Sequence, residues 1–221
     1  MTIAGRDAAP PPPAGPGVAF PLLALALLVL LLAAAAGGVM LLLRPHLVFT
    51  NRLAAPVRLV VGDDEPRQVG PGASVDVGVS RSGTMVAEWE LVRPLSADST
   101  RMGEVIRGSS VLRGPRGTLR AEASPRTAGA AYFAPLVTNG SSQPLRMVVN
   151  AGLQGAVDCG CAVRPGGKRV FVGYYRLYQN STVRAVTPGD ASATFPDLGA
   201  KVTAPDGTVG LLFEDKDLRV R

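Results

Sequence analysis

Residues 47–61 read LVFTNRLAAPVRLVV, and residues 135–149 read PLVTNGSSQPLRMVV. At a constant offset of 88, Thr50, Asn51, Pro56, Arg58, Val60 and Val61 return as Thr138, Asn139, Pro144, Arg146, Val148 and Val149. Val57/Leu145 and Leu59/Met147 differ only conservatively. Downstream, Val69-Gly70-Pro71-Gly72 is echoed by Val163-Arg164-Pro165-Gly166, with six more residues intervening in the second copy. A self-match this regular marks an internal duplication, with an insertion between the second and third strands of copy two.

Each unit reads as short strands. Leu47 to Thr50 ends at Thr-Asn, residues whose side chains bond their own backbone and turn the chain. Pro56 opens the next strand, where its missing N–H does least harm to a ladder. There Val57, Leu59 and Val61 share one face and Arg58 points the other way. Val75, Val77 and Val79 alternate with Ser74, Asp76 and Gly78, and Met85, Ala87, Trp89 and Leu91 alternate with Glu88 and Glu90. Period two predicts half-buried antiparallel strands with one face on a core and one in water. Pro-Gly pairs at 71–72 and 165–166 supply turns, and Asp206-Gly207 predicts a hairpin between Lys201–Ala204 and Thr208–Phe213. No window of helical periodicity follows Arg44.

The predicted fold class is therefore all-β: tandem β-sandwich units after one N-terminal transmembrane helix. The pattern is generically immunoglobulin-like, although the Cys…Trp…Cys framework is missing and no family is implied. The predicted divisions are a Pro-rich disordered tail (1–17), a transmembrane helix (18–43), copy one (46–130) and copy two (131–221). A single larger sandwich drawing strands from both copies is the alternative.

The membrane segment runs from Val18 to Leu43 without a charged or strongly polar side chain. As a helix it would reach about 39 Å, enough to cross a hydrocarbon core of about 30 Å. Arg44 and Pro45 end it. The run continues seven residues past the small-residue stretch Ala33–Ala36, which favours a retained anchor over a cleaved signal peptide. Orientation is read as extracytoplasmic for the C-terminal body, because long domains translocate largely regardless of flanking Arg44, Arg52 and Arg58. Ala33/Gly37 and Ala34/Gly38 are small-xxx-small pairs that could let two helices approach as a homodimer.

The chain carries 23 basic and 17 acidic residues for a net charge of +6, and only Lys168, Lys201 and Lys216 are lysines. The arginines are dispersed among acids rather than gathered in a stripe, which argues against nucleic-acid binding. Aromatics are only 5%, so the core must be built mainly from Val, Leu and Ala.

No catalytic constellation is legible. His46 is the only histidine and sits just beyond the anchor, out of reach of a Ser-His-Asp or Cys-His arrangement. The acids lack calcium-loop spacing, and Arg164-Pro165-Gly166-Gly167-Lys168 lacks the leading glycine of a phosphate loop. Asp158-Cys159-Gly160-Cys161 holds the only cysteines and falls in the copy-two insertion. Three readings compete there: a structural pair, a thiol-exchange loop, or a soft-metal site in which the two thiolates and Asp158 hold copper or share zinc. Tyr174, Tyr175 and Tyr178 are candidates for a binding surface, since clustered tyrosines are over-used at interfaces, or else for the core of copy two. Asn139-Gly140-Ser141 and Asn180-Ser181-Thr182 match glycosylation sequons.

Together these readings predict a non-enzymatic, single-pass envelope protein without cofactor, whose partner is another protein. The alternative is a thiol- or soft-metal-handling protein acting through Cys159 and Cys161.

Overall fold

A computed structural model describes residues 25–35, 46–78, 83–95, 101–114, 118–128, 130–153 and 156–220. Residues 25–35 are helical and lie inside the apolar run, while the tail 1–17 and the remainder of 18–43 lie outside the described residues. Among the described residues no helix is long and apolar enough to cross a membrane. The chain divides at Arg44, and Pro45–Arg221 forms the second unit.

That unit is all-β apart from two single 3-10 turns, Leu198–Ala200 and Asp215–Asp217. Its first seven strands are β1 (His46–Asn51), β2 (Val57–Val61), β3 (Arg67–Val69), β4 (Ser74–Gly78), β5 (Gly83–Leu91), β6 (Arg107–Gly114) and β7 (Thr118–Ala123). They form a three-stranded sheet, β4-β1-β7, and a four-stranded sheet, β3-β2-β5-β6. The remaining strands are β8 (Tyr132–Asn139), β9 (Leu145–Val149), β10 (Val157–Val163), β11 (Val170–Phe171), β12 (Tyr175–Arg176), β13 (Val183–Val186), β14 (Ser192–Phe195) and β15 (Thr208–Phe213). They repeat the plan, with a sheet β10-β9-β13-β14 and a second in which β8 pairs β11 and β12 on one side and β15 on the other. In both halves the opening strand pairs in parallel with the closing one, β1 with β7 and β8 with β15.

The alternation read from sequence puts its apolar face inward. Val57, Leu59 and Val61 are buried and Arg58 is exposed; Ala87, Trp89 and Leu91 are buried and Glu88 and Glu90 exposed. Val79 lies outside the described residues. Leu47 and Phe49 of one sheet share a core cluster with Leu59 and Trp89 of the other, the arrangement of a β-sandwich. Each such fully buried side chain contributes about 1.5–3 kcal/mol by leaving water.

The two duplicated motifs meet in space. Asn51 is fully buried at the end of β1, and its Nδ2 donates to the carbonyls of Ala55 (2.9 Å), Val69 (3.0 Å) and Gly70 (3.0 Å). Its Oδ1 accepts from the Leu53 N–H at 2.9 Å. Asn139 does the same in the second half: Nδ2 donates to Gln143 O and Val163 O, both at 2.8 Å, and Oδ1 accepts from Ser141 N at 2.9 Å. Each asparagine therefore ties the Thr-Asn turn to the Pro-Gly turn after the third strand. Burying these peptide groups would be costly unless they were bonded. The Asn139 sequon is consequently closed, its amide being fully engaged in the core.

One expectation is corrected. Thr208–Phe213 does not form a hairpin with Lys201–Ala204; residues 201–204 are not a strand, and β15 instead pairs β8 in parallel, Thr208 opposite Ala134 through Phe213 opposite Asn139. Asp206 does turn the chain, but by accepting from Thr208 N and Oγ1 through its own Oδ1 at 3.0 and 2.8 Å.

The halves interlock. Tyr174, from the second half, lies in the first half's core cluster, and Met102 lies in the second's. The Tyr174 hydroxyl accepts from Ala54 N at 2.8 Å and donates to Asp206 O at 2.7 Å. Gly103 and Gly173 let the two backbones cross at close range, with Glu104 N donating to Tyr174 O at 2.8 Å.

Candidate binding face

Four of the six sequence candidates, Cys159, Cys161, Tyr174 and Tyr175, fall in the interior. Cys159 and Cys161 do not sit in an added loop but on β10, two residues apart and therefore on the same face, 2% and 8% exposed within the second core cluster. They are bridged to each other, with Cα atoms 5.2 Å apart. The insertion itself is accommodated by the longer turn before β10 and by a bulge inside it. Asp158 opposes Val148 and Ala162 opposes Arg146, so three residues of β10 stand against Met147 alone. Gly160, at φ +60°, crests this bulge, and its N–H donates to Asp158 Oδ1 at 3.0 Å. The Asp158 carboxylate faces outward to Arg146 Nη1 at 3.2 Å. Both sulfurs are thus occupied by each other and turned inward, away from Asp158. Exchange chemistry calls for an exposed sulfur, and a soft metal for free thiolates. Among the described residues no group of three or more His, Cys, Asp or Glu is placed to hold a metal ion.

A bridge closing so short a ring restricts the unfolded chain little. Replacing both cysteines by serine should cost about 1.5 kcal/mol from chain entropy. Urea unfolding of the double variant checks this, and native protein should resist alkylation in mild reductant until it unfolds. Rapid labelling of the folded chain would show the sulfurs to be accessible.

Tyr174 and Tyr175 are fully buried, which corrects their reading as surface candidates. With aromatics scarce, these rings fill volume that Val and Ala cannot. Burial pushes both phenols well above their ordinary range, so both remain protonated donors, Tyr175 to Val172 O at 2.7 Å. Tyr178 is half-buried, its N–H held by Ser181 Oγ at 2.8 Å. His46 pairs at the open surface with Asp76, Nδ1 to Oδ1 at 3.2 Å.

A concave surface lies elsewhere, on the outer face of β2, β5 and β6. A cleft of about 570 Å³ is lined there by Arg58, Val60, Glu88, Glu90, Arg107 and Ser109, and closed at one end by Thr127 and Ala128. Arg58 Nη2 lies 3.8 Å from Glu90 Oε2, both side chains about half exposed, a pairing of little energetic weight that leaves both groups open to a partner. One row along the same face, Val86 and Val111 are cross-strand neighbours, 38% and 59% exposed. The exposed apolar pair stands at one end of this face, next to the row of Glu88 and Ser109, with Arg58, Glu90 and Arg107 one row further on. The alternation of Gly83–Leu91 already placed Glu88 and Glu90 outward. What it could not show was that Val111, on another strand, stands opposite Val86 on that face.

No family model matches the chain, and no curated protein matches it. The chain is similar to the crystal structure of a protein from Bacteroides eggerthii whose description proposes a role in cell adhesion. The two are 11% identical over 77% of this chain and 86% of that one, with a TM-score of 0.29, a likeness too slight to carry an argument.

Proposed function

We propose that the chain is a single-pass membrane protein that displays tandem immunoglobulin-like β-sandwiches outside the cytoplasm and binds another protein without performing chemistry on it. The observation that carries this reading is the outer face of β2, β5 and β6, where Val86 and Val111 stand exposed at one end and Arg58, Glu88, Glu90 and Arg107 follow along it. The apolar run 18–43 supports the anchor by its length. The Cys159–Cys161 bridge supports an oxidising compartment, where disulfides persist. Duplication supports scaffolding, since it doubles the sheet surface carried by one compact unit.

A photo-crosslinking side chain placed at position 111 of the full chain, in its own membrane, tests the proposal. A discrete adduct with one other polypeptide is expected, and Arg107→Glu should weaken it several-fold. An adduct of twice the chain's mass would make the partner a second copy. Labelling by lipid alone, or an adduct indifferent to Arg107→Glu, would defeat the proposal.

A further inference from the structure

The duplication supplies an internal comparison for the two closing strands. Thr118 lies opposite His46 and Thr208 opposite Ala134, and His46 and Ala134 are equivalent in the repeat. Position by position, TLRAEA of β7 therefore matches TVGLLF of β15. Each is the outermost strand of its sheet among the described residues. Where β7 carries Arg120 and Glu122, β15 carries Gly210 and Leu212. Edge strands are normally guarded against joining other strands by charges, and Arg120 and Glu122 are guards of that kind. The second half carries neither.

The main-chain groups at this edge can be assigned. Ala134 N donates to Gly207 O at 2.9 Å, and Gly140 N donates to Phe213 O at 2.8 Å. With the alternation of a parallel ladder, the odd-numbered residues of β15 turn their N–H and C=O groups to β8, and Thr208, Gly210 and Leu212 turn theirs away. The Thr208 N–H is taken by Asp206 Oδ1. Those of Gly210 and Leu212 find no acceptor among the described residues. Gly210 is exposed and Leu212 is 48% exposed, so nothing described covers this edge. Arg169 lies over the flat of the sheet at Gly210, with Nη1 3.9 Å from where a Cβ would stand, and leaves the edge itself clear. Beyond Phe213 stand Glu214, Asp215 and Asp217 against Lys216, with Arg219 two residues on. Glu214 pairs with Lys216 at 2.6 Å and Asp215 accepts from Ser142 N at 3.0 Å, both at the surface, and Asp206 stands at the other end.

We propose that the free edge of β15 is a strand-addition site for an extended, apolar segment of another polypeptide that carries basic residues at its end. Main-chain hydrogen bonds to Gly210 and Leu212 supply the attachment, Leu212 contacts the incoming side chains, and the acidic stretch 214–217 selects the basic end. The site is separate from the cleft on β2, β5 and β6, and its test does not depend on that face.

The probe is a capped synthetic peptide alternating Val and Thr with two arginines at one end, titrated by fluorescence anisotropy against the full chain in detergent micelles. Saturable binding is expected. It should weaken at least tenfold in Gly210→Arg/Leu212→Glu, which restores the guards of β7, and in Leu212→Pro, which removes an outward N–H without touching the ladder to β8. A peptide ending in two glutamates should bind several-fold more weakly, with the difference shrinking in high salt. If Leu212→Pro does not fold, the guard-restored variant decides alone. Absence of binding to the wild-type chain, or equal binding by the guard-restored variant, would overturn the proposal. So would self-association abolished by the same substitutions while the peptide fails to bind, which would assign the edge to a second copy. Arg107→Glu should leave the titration unchanged, so that failure at the cleft and failure at this edge can be told apart.

Discussion

Asn139→Ala should destabilise the folded chain by about 3 kcal/mol, measured as a lowered midpoint in urea at unchanged slope. The substitution removes no apolar contact of consequence. It leaves the buried Val163 carbonyl and Ser141 N–H without their partners, and takes from the part-buried Gln143 carbonyl one of two donors, Ser141 Oγ remaining at 3.0 Å. A buried group left unpaired costs about 1–3 kcal/mol, and two of the three are exposed to that penalty. Against a total stability of about 5–15 kcal/mol, such a loss is large. Asn51→Ala should behave alike, because its amide serves three carbonyls. Asn139→Asp should be no milder, since a carboxylate would point lone pairs at the same carbonyls. A loss below 1 kcal/mol in both alanine variants would mean that water replaces the amide and that the clip is ornamental.

Gly173→Ala should cost at least as much, about 3–5 kcal/mol, by a different route. Gly173 has φ +108°, a region that side chains avoid, and a Cβ there would stand 2.7 Å from Gly103 Cα and N and 3.0 Å from Met102 C. Backbone cannot swing aside as a side-chain tip can, so the crossing of the two halves must open. Gly152→Ala is the matched control. Its φ is +83°, yet nothing lies within 4 Å of the added carbon, and conformational strain alone should cost about 1 kcal/mol. If the two substitutions prove equal, the close crossing contributes nothing and only the dihedral matters.

How far these features could be read in the sequence depends on whether the signal is local. The strand faces were legible because burial on one side of a sheet imposes period two on neighbouring residues, as in Val57, Leu59 and Val61. The duplication was legible because Asn51 and Asn139 do a job no other side chain can, and so appear as fixed points in a drifting repeat. Partner strands were not. Asp206-Gly207 announces a turn, but a turn does not say which strand comes next to it, and β15 chose β8, some seventy residues upstream. Tyr174 and Tyr175 were ambiguous because a tyrosine suits both a wet surface and a filled core. Only the tertiary arrangement decided between them. The cysteines carried a signal that was underused: a spacing of two puts both on one face of a strand, whereas a loop imposes no such phase.

The ring of Tyr174 has a consequence for descent. A freshly duplicated module could be discarded again, since each copy would still close upon itself. Once the later copy lodged an aromatic side chain inside the earlier one, and the earlier lent Met102 in return, deletion of either left its sibling with a socket and a stranded ring. Such an exchange works as a ratchet, because either module removed alone would expose the part of its core that the other had completed.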